Sequence, residues 1–108
     1  MDYNKLIQDL RDANSAAKAA ADRVDDGGSS NLDGVFLRIP KARESKVLEA
    51  IKEAGLYCRC KRRWIGDGYM LQPDSGGGQA RKREKAATVF MRELEARGWD
   101  VITFRKAD

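Results

Sequence analysis

The stretch GVFLRIP, residues 34–40, decides the fold. Val35, Leu37 and Ile39 alternate with Phe36 and Arg38. A period of two is the signature of a strand, because successive side chains leave opposite faces of a pleated backbone. The aliphatic triplet therefore lines one face, and Phe36 and Arg38 stand on the other. Pro40 ends the run, since it lacks the N–H a ladder needs.

Reading outward towards the C-terminus, residues 42–54 change period. Val47, Leu48, Ile51 and Ala54 fall on one helical face, and Gly55 sits where a C-terminal cap belongs. LYCRCKRR, residues 56–63, alternates apolar with basic residues and predicts a second strand. WIGDG supplies a turn and YMLQP a third strand closed by Pro73. DSGGG is a loop. Residues 79–97 predict a helix with Ala87, Phe90, Met91 and Leu94 as its buried stripe and Gly98 as its cap. WDVITFR is the last strand. EAGLYCRCK and EARGWDVITF echo one another, each running helix end, glycine, large apolar residue, strand.

The order β-α-β-β-α-β defines an α+β class. It predicts a ferredoxin-like sandwich, a four-stranded antiparallel sheet in the order 4-1-3-2 with both helices on one face. On this reading Cys58 and Cys60 face the helices with Val35, Leu37 and Ile39. Phe36, Arg38, Tyr57, Arg59 and Lys61 face the open side.

Reading the other way, residues 1–26 form an amphipathic helix. Tyr3, Leu6, Leu10, Ala13, Ala17, Ala20 and Val24 step by three and four, a heptad seam. Its second half is alanine, which buries little area but lets a neighbour approach closely. Leu6, Leu10, Ala13 and Ala17 either pack on the helix's own domain or pair with another chain, as in a homodimer. The flexible stretch at 27–33 favours the second, by separating the helix from the basic domain at 34–108.

Residues 1–33 carry four Lys/Arg against seven Asp/Glu, a balance of −3. Residues 34–108 carry 17 against 10, a balance of +7. A basic domain points to an anionic partner, of which nucleic acid is the commonest. The same charge also serves solubility. No apolar run approaches the ~18 residues that span a bilayer, and the N-terminus lacks the apolar stretch of a signal peptide. The expected compartment is the cytoplasm, with no membrane partner.

The chain contains no histidine. That removes the commonest general base and the commonest metal ligand, and with them Ser-His and Cys-His nucleophile pairs. Cys58 and Cys60 have neither the CxxC redox spacing nor a zinc-knuckle spacing. They read as small core residues, with no metal or cofactor expected. Asp67 and Asp74 are formal candidates for the lone metal-binding aspartate of a small nuclease, but Asp67 in GDG is explained by turn chemistry. The expectation is a protein that is not an enzyme.

VFLRIP resembles the first-strand motif of RNA-recognition-motif domains, and residues 34–106 are similar to that family in length and element order. The resemblance implies a base stacked on Phe36. The third strand departs from the family, because GDGYMLQP offers Tyr69 alone where two stacking rings belong.

Two basic clusters are candidate contacts. One is Arg59, Lys61, Arg62 and Arg63, with Phe36, Arg38 and Tyr57 on the open face. Aromatics between cations suit a single strand, with bases on rings and cations on phosphates. The alternative is that the N-terminal helix covers Phe36. The other cluster is Arg81, Lys82, Arg83 and Lys85 after GGG. Cations at a helix start oppose the macrodipole by about 0.3–1 kcal/mol each. A glycine loop entering a helix is also a phosphate-binding arrangement. The alternative there is a solvated loop.

Two functions fit. The first is a non-enzymatic module for single-stranded or structured nucleic acid. The second is a protein-interaction inhibitor or adaptor docking on a host nucleoprotein complex. In size, charge and absence of catalytic motifs the chain is similar to small phage-encoded accessory proteins, including anti-CRISPR proteins.

Overall fold

The computed structural model describes residues 2–24, 32–40, 42–64, 66–73 and 80–105. Side chains are described at 2–24, 34–40, 42–64, 66–73 and 84–103. The elements run α1 (Tyr3–Ala21), β1 (Leu32–Arg38), α2 (Glu44–Glu53), β2 (Arg62–Trp64), β3 (Gly66–Leu71), α3 (Ala80–Ala96) and β4 (Asp100–Arg105). The sheet order is β2-β3-β1-β4 with every pairing antiparallel. Read from the opposite edge this is 4-1-3-2, with β1 and β3 central. Val35 lies opposite Leu71 and Thr103, and Leu37 opposite Tyr69 and Val101.

Two glycines close the helices as their positions suggest. Gly55 and Gly98 have φ of 84° and 93°. Their N–H groups donate to the carbonyls of Lys52 and Glu95, while Leu56 and Trp99 donate to Ile51 and Leu94. This is the same Schellman ending twice, and it is the physical content of the sequence echo.

The core joins Val35, Leu37, Tyr69, Leu71 and Val101 of the sheet to Val47 and Ile51 of α2 and Phe90 and Leu94 of α3. α1 belongs to this core. Leu6, Leu10, Ala13, Ala17 and Ala21 are all fully buried in it, and α1 packs along α3 and against α2. The expectation of a separate helix whose seam pairs with a second chain is thereby corrected, because the seam is covered within the monomer. The burial also drifts from the heptad, taking Ala21 rather than Ala20, as a straight helix of 3.6 residues per turn requires. Of the linker expected at 27–33, residues up to 31 lie outside the described residues, and β1 already begins at Leu32.

α1 and α3 run antiparallel. Lys5 near the start of α1 donates to the carbonyl of Arg97 past the end of α3 at 3.1 Å. At the other end Val24 lies with Glu84 and Lys85. The C-terminal end of α1 therefore lies towards the N-terminal half of α3, an arrangement in which the two macrodipoles oppose. No helix among the described residues is long and apolar enough to cross a membrane.

Candidate nucleic-acid interface

The second strand is far shorter than its alternation suggests. Pairing covers only Arg62–Trp64, and residues 56–61 are irregular. Cys58 packs against the core within this segment, and a contact anchors it at each end. Leu56 is buried beneath the Schellman turn, and the Lys61 N–H donates to Glu44 Oε2 at 3.2 Å. Between these anchors Tyr57, Arg59, Cys60 and Lys61 are exposed, and Arg62, Arg63 and Trp64 continue the exposure along β2. Among the described residues none of Arg59, Lys61, Arg62 and Arg63 is in a salt bridge.

The irregular segment also corrects the facing of Cys60. Arg62 pairs with Gly68, and Phe36 with Met70, so Arg62, Trp64, Gly68 and Met70 share the face of Phe36. Cys58 is half-buried and packs against the helix-side core, as expected, whereas Cys60 is exposed; both residues also line a groove beside Met70. A strand's own alternation does not fix its phase against its neighbours, and a one-residue shift exchanges the faces.

On the helix-free face the structure replaces the expected stacking ring. Phe36 is fully buried, yet α1 does not cover it and it stands outside the main core. Trp64 meets it edge to face, with centroids 5.3 Å apart and planes at 81°. Gly68 makes room beneath, since a Cβ there would lie 2.6 Å from Phe36 Cζ. Phe36 is thus the floor of the face and Trp64 its exposed surface, 44% accessible. Arg38, expected as a free contact, donates to Asp100 at 2.8 Å across the β1–β4 pair. Tyr69, the ring suggested for the third strand, points into the helix-side core and is fully buried. Burial pushes its pKa up to about 12, helped by the charge of Glu44.

An open groove of about 430 Å³ runs between the irregular segment and β3, lined by Tyr57, Cys58, Arg59, Cys60, Arg62, Met70 and Gln72. Burial raises the Cys58 thiol, against hydrogen bonding to the backbone of Cys60 and Met70 and the charge of Arg62. The second predicted cluster does not open into this groove. Lys85 is exposed on α3 and lines a separate concavity with Val24, Glu84, Thr88 and Arg92. The side chains of Arg81, Lys82 and Arg83 lie outside the described residues, as does Asp74. Asp67 is exposed in the β2–β3 hairpin, and among the described residues no three His, Cys, Asp or Glu side chains cluster.

Two functional candidates were missed by sequence reading. Trp64 was absorbed into a turn, although a tryptophan flanking RR was a visible signal. Gly68 carried no signal, because its role depends on the ring of another strand. No protein-family model, no curated protein and no solved structure matches this chain.

Proposed function

We propose that this chain is a non-catalytic, cytoplasmic module that binds single-stranded nucleic acid along residues 57–64 and the adjoining groove. One observation carries the reading. Tyr57, 78% exposed, and Trp64 are the exposed large hydrophobic side chains of the described residues, and they bracket four cations that are in no salt bridge there. Rings for bases and cations for phosphates, alternating along one edge, are the two components of single-strand recognition. Exposed aromatics cost solubility unless something covers them, which favours a partner over a purely solubilising role for the charge.

Fluorescence anisotropy with labelled RNA and DNA oligonucleotides at two salt concentrations tests this. Four phosphate contacts predict log K falling with log salt at a slope of about −3. Charge reversal at Arg62 and Arg63 should flatten that slope, whereas reversal at Lys85 should leave it. A salt-independent interaction, or none, defeats the reading. The docking alternative draws on the same residues, since Trp, Tyr and Arg are the commonest interface anchors. It predicts a stoichiometric protein partner whose capture survives nuclease.

A further inference from the structure

Leu56 is buried in the helix-side core and Cys58 packs against it. Arg62 and Trp64 stand an even number of positions further on, yet they pair with Gly68 and Gly66 and share the opposite face with Phe36 and Met70. In an unbroken strand, residues an even number apart share one face. The chain therefore changes phase between Cys58 and Arg62, and the smallest surplus that does this is one residue. A surplus residue is a bulge, which stops the ladder locally and re-aims the side chains beside it. Both effects are present. β2 pairs with Gly66–Gly68, the first half of β3, and the pairing stops before Met70. The groove of about 430 Å³ opens there. Tyr57 and Arg59, of the parity opposite to Leu56 and Cys58, line it together with Arg62, Met70 and Gln72. The phase change thus sets Tyr57 and Arg59 on the side of Arg62 and Trp64.

We propose that this bulge-made groove houses one nucleotide of the bound strand, its base against the Tyr57 ring and its phosphate against Arg59 and Arg62. This rests on the single-strand reading above and names the place where a base leaves solvent. The lining argues for the class. Two guanidinium groups match a phosphate, and no carboxylate among the lining residues opposes one. Tyr57, 78% exposed, offers a free ring face, and Met70 adds apolar surface on the opposite wall. The volume falls within the range of about 300–1,000 Å³ common to small-ligand pockets. The groove is a product of the bulge, so its contribution is separable from that of the cations and rings themselves.

Two measurements on the full chain test this, with oligouridine and oligoadenosine octamers as probes. The first is alkylation of Cys60, which is exposed and lines the groove. A small maleimide should label it readily in the free protein and slowly in the presence of either octamer, with peptide mass spectrometry separating it from Cys58. Inorganic polyphosphate, which has the charge and no bases, should leave Cys60 open. The second is deletion of Cys60. This removes the surplus residue and keeps every cation and both exposed rings, so β2 can pair along β3 and close the groove. The variant should bind the octamers about tenfold more weakly, the loss of one stacked base. The salt slope should stay that of the wild type, because the phosphate contacts are retained. Octamers that bind while Cys60 alkylates at its free rate overturn the groove and leave single-strand binding along the edge standing. So does a folded deletion variant with full affinity. Equal protection by polyphosphate reduces the groove to an anion site and overturns it too. Octamers that do not bind at all defeat the single-strand reading itself. The alkylation result holds whether or not the deletion variant folds.

Discussion

Phe36 and Trp64 meet edge to face over the bare backbone of Gly68, their ring centroids 5.3 Å apart. This contact joins the central strand of the sheet to its edge. It buries one ring completely and leaves the other half-exposed, so the two aromatics have different work. Edge-to-face pairs contribute roughly 0.5–1.5 kcal/mol beyond the area they bury.

Gly68→Ala tests that arrangement. The added methyl would meet Phe36 Cζ at 2.6 Å and the Leu37 carbonyl at 2.7 Å. The ring could swing, but the backbone oxygen could do so only by shifting the strand. Overpacking of this kind costs about 1–3 kcal/mol. Urea denaturation should show the loss, and Trp64 fluorescence should shift to the red as the indole is pushed into water. Unchanged stability would mean that the pair is not seated on Gly68.

The two rings separate stability from binding. Phe36→Ala should cost about 3–5 kcal/mol of stability, as removal of a fully buried phenylalanine does. Trp64→Ala and Tyr57→Ala should leave a folded protein and weaken oligonucleotide binding by about 1–3 kcal/mol for each base unstacked. Anisotropy on the three variants, with thermal unfolding alongside, reads both effects. Full affinity in the double variant of Tyr57 and Trp64 would remove the stacking model.

Leu10 sits in the seam of α1 and is fully buried in the monomer. Leu10→Ala should therefore destabilise the chain by about 2–5 kcal/mol. It should do so independently of protein concentration. A dimer seam would make the midpoint depend on concentration, since association stabilises by mass action. Denaturation at two concentrations, with sedimentation of the wild type, separates the cases.

The strand GVFLRIP, both glycine caps and the stripes of α2 and α3 were legible because each depends on residues near in sequence. Leu6 and Leu10 were legible as a buried seam, but what buried them was not. A heptad pattern states that a face is covered without naming the cover. The site was legible as a composition of basic and aromatic residues and illegible as an arrangement. Phe36 looked like a ligand-facing ring because its partner, Trp64, lies 28 positions away in a tract that reads as a turn. The alternation of LYCRCKRR misled for a related reason. Leu56 and Glu44 hold that segment off the sheet, and neither contact can be seen from within the segment.

Tyr69 offers a test of the helix-side core. Its hydroxyl is buried with no hydrogen-bond partner among the described residues. A buried unsatisfied hydroxyl costs about 1–3 kcal/mol. Tyr69→Phe keeps the ring and removes the cost, so the variant should match or exceed the wild type by about 1 kcal/mol. A clear destabilisation would show that the hydroxyl is satisfied.

Asp9 links α1 to the end of α3 and carries a pH dependence whose sign is fixed. Burial works to raise its pKa. Hydrogen bonds from Lys5 at 2.6 Å and the Trp99 indole at 2.8 Å oppose this, as do the charges of Lys5 and Arg97. The net result lies below the usual carboxylate value. Because the folded pKa is depressed, the unfolded chain takes up the proton first as pH falls. The stabilisation from ionised Asp9 is complete above the ordinary carboxylate range and is lost as pH drops through the folded value. Asp9→Asn removes that contribution at neutral pH while leaving an acceptor for the indole. Its deficit relative to wild type in urea should be widest near about pH 7 and should narrow as pH falls below the ordinary carboxylate range. A deficit that stays constant with pH would mean that Asp9 acts through shape rather than charge. Lys5→Met should reproduce part of the same pH-dependent deficit, because it removes both a hydrogen bond and a neighbouring charge from the carboxylate.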